Sequence, residues 1–202
     1  MKKIKLLIIL FCFTQLILSC NSFCKINSKS EILTKHFDNC QIQDLEKLVV
    51  FYKKWICDDF NKDVFDNCFK NSFPDLIPPH ETSDNKVSKR LNELDKLYED
   101  ISINTFDEIW EFIPHNFKGK SSKFLCFKQE SAYSDFLADL SNENDSIEKY
   151  LTELIQSGGF PPGFYMEHLI NDNVKDFDFN KIETQILISI HFISIKDNII
   201  RY

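Results

Sequence analysis

Apolar residues recur along most of this chain at intervals of three and four, the period that gathers them on one face of an α-helix. Ile42, Leu45, Val49, Tyr52 and Ile56 set out the first such face, widened by Leu48, Phe51 and Trp55. The pattern predicts a helix from about Gln41 to Phe60, central to the core. A shorter helix is expected from about Lys62 to Asn71, after which Pro74, Pro78 and Pro79 mark an irregular connection. Val87, Leu91, Leu94, Tyr98 and Ile101 predict a second long helix, whose other face carries Lys89, Arg90, Glu93, Asp95 and Lys96 as ordinary solvated charge.

Three later helices are expected to start at capping boxes, where a short polar side chain and a Glu three places on satisfy open backbone amides. These are Thr105 with Glu108, Asp145 with Glu148, and Asn180 with Glu183. The first helix should run through Ile109 and Ile113 and stop before Pro114; the second should carry Ile147, Tyr150, Leu151 and Leu154 to a stop at Gly158-Gly159. Tyr133, Phe136, Leu137 and Leu140 mark a helix between them. The β-branched run Ile186 to Ile195 would also suit a buried strand, but the spacing Ile182, Ile186, Ile190, Ile193 favours a helix. Lys123 to Phe127 is the other strand-like run, and one or two isolated strands do not make a stable sheet. The expected fold is therefore all-α, a single compact domain of about six to eight amphipathic helices over residues 30–202.

The chain's first residues follow a different rule. Lys2, Lys3 and Lys5 accompany an apolar run from Ile4 to Leu18, interrupted at Thr14 and Gln15 and closing on Ile17-Leu18-Ser19-Cys20. A basic start, a short apolar stretch and a small residue before the cut are the marks of a secretory signal peptide, and the apolar stretch is shorter than the roughly 20 residues that span a bilayer. The closing residues resemble the lipobox of bacterial lipoproteins, although Leu18 stands one place nearer the cysteine than that family's usual leucine, with Ile17 in its place. The resemblance covers only the first twenty residues. It implies a signal peptide over residues 1–19 and a lipid on the thiol of Cys20. Residues 20–29 would then be a lipidated tether, and the protein would sit on a membrane surface of the bacterial cell envelope, facing the periplasm.

Removing residues 1–19 takes away three lysines and no acid, so the formal net charge moves from −7 to −10 over the remaining 183 residues. Such an acidic domain does not suit a nucleic-acid backbone, which needs clustered Lys and Arg. It suits a protein partner with a basic surface. The scarcity of alanine, with Ala132 and Ala138 alone, beside abundant Asn, Lys, Ile and Phe points to a biased source genome more than to a structural demand.

Of seven cysteines, Cys12 leaves with the signal and Cys20 is given to lipid, so Cys24, Cys40, Cys57, Cys68 and Cys126 remain. In an oxidising compartment these allow two bridges and one thiol over. The favoured bridge is Cys57 to Cys68, across a turn at Asn61-Lys62. No pair has the spacing of a zinc site, and no metal or other cofactor is expected. Motifs for a serine nucleophile, a zinc protease, a phosphate loop or a calcium loop are absent, and no catalytic residue is assigned. Glu167 and His168 could supply an acid–base pair, but neighbours on a helix point apart; His191 reads as a core histidine, and Cys126 between Leu125 and Phe127 reads as an inert thiol.

Three of the four glycines fall in Gly158-Gly159-Phe160-Pro161-Pro162-Gly163-Phe164-Tyr165. The segment reads first as a connector with aromatics packed beneath it; as a binding loop it would present Phe160, Phe164 or Tyr165 to a partner. Taken together, these features fit a membrane-tethered binding protein without catalytic activity, in its most concrete form an immunity or inhibitor protein against a basic toxin or enzyme. An envelope assembly or scaffold lipoprotein and an unrecognised hydrolase are the alternatives.

Overall fold

The structure, a computed structural model, describes residues 30–57, 68–69, 84–117, 120–159 and 176–201. Within them the chain forms α1 (Glu31–His36), α2 (Asn39–Ile56), α3 (Asp84–Asp100), α4 (Ile103–Ile109), β1 (Trp110–Phe117), β2 (Lys120–Phe127), α5 (Ala132–Ser141), α6 (Asp145–Gln156) and α7 (Ile182–Arg201). The architecture is mostly helical, with one two-stranded antiparallel hairpin.

The centre belongs to α7, not to α2. Thirteen of its twenty residues are buried, on every side of the helix, which identifies a helix enclosed by its neighbours rather than one lying on a core. It packs against α2, α3 and β2. The β-branched run Ile186 to Ile195 is thus helical, its intrinsic preference outweighed by burial all round. The α2 face matches its 3–4 period, burying Ile42, Leu45, Leu48, Val49 and Tyr52, and the ring of Tyr52 stacks on Phe192 at 5.8 Å. This helix starts at a capping box of Asp38 and Gln41 and stops at Cys57.

Helix starts differ from the expected boxes by one to three residues. Ser102, not Thr105, caps α4, its side chain accepting from the Thr105 amide; Thr105 instead donates to the buried carboxylate of Asp44 at 2.9 Å. Glu108 serves the next helix, accepting the Ala132 amide at 2.6 Å, while Ser131 and Ser134 form the box that opens α5. Asn144, one place before Asp145, caps α6. The chain enters α7 at Lys181, whose carbonyl accepts the first helical bond from Gln185. At α4 and α6 a neighbouring side chain with better reach, with a tertiary bond to the expected cap Thr105 in the first case, displaces the local motif.

The hairpin is the main departure from an all-α fold. The expected helix through Ile113 ends at Ile109, and Trp110 begins a strand paired residue for residue with β2, from Trp110 opposite Phe127 to Phe117 opposite Lys120. Two strands alone are marginal in water, and here α7 supplies what a third strand would. The Asn198 carboxamide bonds both backbone groups of Leu125, Oδ1 accepting its N–H and Nδ2 donating to its C=O, each at 2.9 Å. Trp110 donates its indole N–H to Ser194 Oγ at 2.7 Å, and Trp110, Leu125 and Phe127 are buried against the core. The opposite edge, on β1, is blunted. The bond from Lys128 N–H to the Ile109 carbonyl sets the pairing phase, so Phe112 and Pro114 face outward, and proline offers no N–H to an added strand.

Candidate functional site

No helix among the described residues is long and apolar enough to cross a membrane. Cys20, Phe160, Phe164 and Tyr165 lie outside the described residues, as do His80 and the pair Glu167-His168. The structure joins Cys57 to Cys68 in a disulfide with Cα atoms 5.1 Å apart, tying the end of α2 to Phe69, which packs on Phe179 and Phe192. Cys40 and Cys126 are half-buried thiols; burial, with the charge of Glu111, raises the Cys126 thiol above its ordinary value.

Several ionisable groups are held by partners that give them structural work. Asp44 accepts from Lys47 Nζ at 2.6 Å, the Ser102 amide at 2.8 Å and Thr105 Oγ1. Burial works to raise this carboxyl, and the donors Lys47, Ser102 and Thr105 outweigh it, leaving it below the usual range. His191 is fully buried with Nδ1 3.2 Å from the Tyr150 hydroxyl; burial lowers its pKa to about 3, so the imidazole is neutral at physiological pH. Asp197 is buried in α7 and accepts from Arg201 Nε at 2.8 Å, while Arg201 also reaches Asp95 on α3 at 2.6 Å. Burial still raises the Asp197 carboxyl against the pull of Arg201.

The surface is different around α5 and α6, which pack together as an antiparallel helical pair joined through Asn142-Glu143-Asn144. From Glu130 to Gly159 the chain carries seven carboxylates and a single cation, Lys149, so this pair holds most of the domain's excess negative charge. Asp139 is committed to α1, where the bonds from Lys35 at 2.5 Å and His36 at 2.6 Å hold its carboxyl below the usual range. Glu143 meets Lys181 at 3.5 Å. Glu130, Asp135, Asp145 and Glu148 are exposed and make no ion pair among the described residues. On α6, Asp145, Glu148, Thr152 and Ile155 follow one another along an exposed stripe, and Ile155 is 47% exposed.

Two details mark this region. Glu130, exposed between β2 and α5, has φ of 56°, the left-handed region that costs a side chain about 1 kcal/mol or more. At the far end, Gly159 has φ of 124°, and a Cβ there would lie 2.9 Å from the Phe127 amide nitrogen, so only glycine lets the chain leave α6 this close to β2. Clustering of acids was open to inspection in the sequence; the exposed apolar position within it was not, since Ile155 fits the same helical period as its buried neighbours. Comparison with family models, with curated proteins and with solved structures returns no match.

Proposed function

We propose that this chain is a lipid-anchored, non-catalytic binding protein of the bacterial envelope that covers the basic surface of a toxin or enzyme. The observation that carries the reading is the α5–α6 pair with the Glu130 turn before it, where carboxylates outnumber cations seven to one and four of them are exposed and make no ion pair among the described residues. Opposite charge steers a basic partner to such a face and speeds encounter, and Ile155 supplies an apolar contact within the acidic stripe. The tether from Cys20 supports the same reading, since residues 21–29 reach at most roughly 30 Å when extended and require a partner at the membrane surface.

The test immobilises residues 21–202 and recovers partners from the producing strain and from its competitors. A basic toxin or enzyme, inhibited by the domain and released by the pair Asp145→Lys and Glu148→Lys, is the expected result. Recovery of one abundant envelope component instead assigns a scaffold role, and substrate turnover lost on changing one polar residue assigns a hydrolase. Mass spectrometry of the native amino terminus tests the anchor separately; an unmodified Cys20 removes it.

A further inference from the structure

The end of α7 is held on both sides, by Arg201 to Asp95 of α3 and by Asn198 to Leu125 of β2. Here α3, α4, the hairpin and α7 line a pocket of about 610 Å³, to which neither α5 nor α6 contributes. Its volume lies within the range of small-molecule sites. Leu91, Phe106, Phe112 and Ile200 make it mostly apolar, with the Phe106 and Phe112 rings stacked 5.7 Å apart and Phe112 45% exposed. The charges stand on different walls. On the α3–α7 wall Arg201 is shared by two carboxylates, through Nε to Asp197 at 2.8 Å and through Nη2 to Asp95 Oδ1 at 2.6 Å. These three groups sum formally to one negative charge, and Asp95 Oδ2 accepts no bond among the described residues. Burial, with the charge of Asp197, raises the Tyr98 hydroxyl well above its ordinary value, so this lining group stays neutral. On the hairpin wall Lys123 is exposed, with no ion pair and no side-chain hydrogen bond among the described residues.

We propose that this pocket binds a short apolar peptide by both of its ends. The free ammonium donates to Asp95 Oδ2, the free carboxylate accepts from Lys123 Nζ, and the apolar side chains between them cover Phe106 and Phe112. An anion alone meets Lys123 but also the acid excess of the α3–α7 wall. A cation alone meets the reverse, so a ligand with both charges is the one favoured at both walls. Because Asp95 and Lys123 belong to different elements, the ligand charges belong at opposite ends of an apolar body and not on a single carbon, and the volume suits two or three residues. The proposal stands apart from the basic partner of the α5–α6 face.

Isothermal titration calorimetry of the full chain in lipid nanodiscs, with empty nanodiscs as the blank, tests the proposal with leucyl-phenylalanine as the probe. The dipeptide should bind saturably and about tenfold more tightly than its N-acetyl form or its C-terminal amide, each of which keeps one charge. Lys123→Glu should weaken the dipeptide about tenfold or more and leave the amide no weaker. Asp95→Asn should weaken the dipeptide and leave the N-acetyl form no weaker. Asp95 also holds Arg201, so the urea midpoint of that variant is read alongside; Lys123→Glu changes a side chain without partners and carries the test even where Asp95→Asn unfolds. No saturable binding of the dipeptide, a capped form that binds as tightly, or a Lys123→Glu variant that binds like the wild type would each overturn the proposal.

Discussion

On α7, Ser194, Asp197 and Asn198 are buried and each is tied to a named partner, whereas on α6, at the same helical period, Asp145, Glu148 and Thr152 face solvent. The polar groups of α7 are costly to bury and costly to strand, so their removal should be read in stability. Those of α6 are hydrated in any case, and apart from modest support to the helix start from Asp145 and Glu148 they contribute little to folding. The two helices thus separate residues that hold the structure from residues that are free of it.

The largest effect should come from His191. Its folded pKa, lowered by burial to about 3, lies below the ordinary value of 6.5, so the unfolded chain binds the proton first as pH falls. Stability is complete above about pH 6.5 and declines on acidification by about 1.4 kcal/mol per pH unit, approaching a loss of about 5 kcal/mol near pH 3. Urea titrations between pH 7 and pH 4 should show this slope in the wild type, and His191→Gln should flatten it by that amount. An identical slope in both proteins would mean that the imidazole is not held neutral in the core.

Next comes the attachment of the hairpin. Asn198→Ala strands the N–H and the C=O of Leu125 in a buried setting, and two such groups cost about 2–5 kcal/mol. Amide exchange at Leu125 should accelerate together with the fall in the unfolding midpoint. A fall in stability with Leu125 still protected would show that the hairpin is held by packing of Trp110 and Phe127 alone.

This same bond shows where reading along the chain stops. Helical period is local, so the faces of α2, α5 and α6 and the helical state of α7 were legible from spacing, and the observed α2 differs from expectation by two residues at its start and four at its end. The hairpin was legible only in part: the strand-like run Lys123 to Phe127 lies in β2, but its anchorage was not legible, because Leu125 finds its partner 73 residues away on a side chain, a pairing that no pattern of alternation announces. Ile109 and Ile113 even fit a helix; Trp110 instead opens β1, where its indole donates to the buried Ser194 hydroxyl. Of the candidate site, the acids of α5 and α6 were in plain view as composition. Their exposure, and the commitment of Asp139 to Lys35 and His36, depend on packing against α1.

The disulfide should rank third. Closing a loop with sequence separation 11 removes about 3 kcal/mol of chain entropy from the unfolded state. Reduction should therefore lower the unfolding free energy by about that amount while leaving α5 and α6, which it does not touch, with unchanged helicity by circular dichroism. A loss of helicity across the whole domain would place the bridge on the α7 side of the comparison as a condition of folding rather than an increment to it.

The smallest effect is the most discriminating, because its sign should differ between folding and binding. Glu130 holds φ of 56° at the edge of the acidic pair, and glycine adopts that conformation without penalty. Glu130→Gly should raise stability by about 0.5–1 kcal/mol, the relief of strain exceeding the added freedom of the unfolded chain. If the exposed carboxylate serves a basic partner, the same substitution should slow association and weaken the complex, most visibly at low salt where the charge is least screened. A protein made more stable and less adhesive by one change would show strain retained for recognition. Unchanged association at low salt would return Glu130 to the ordinary surface and leave the acidic stripe of α6 to account for binding by itself.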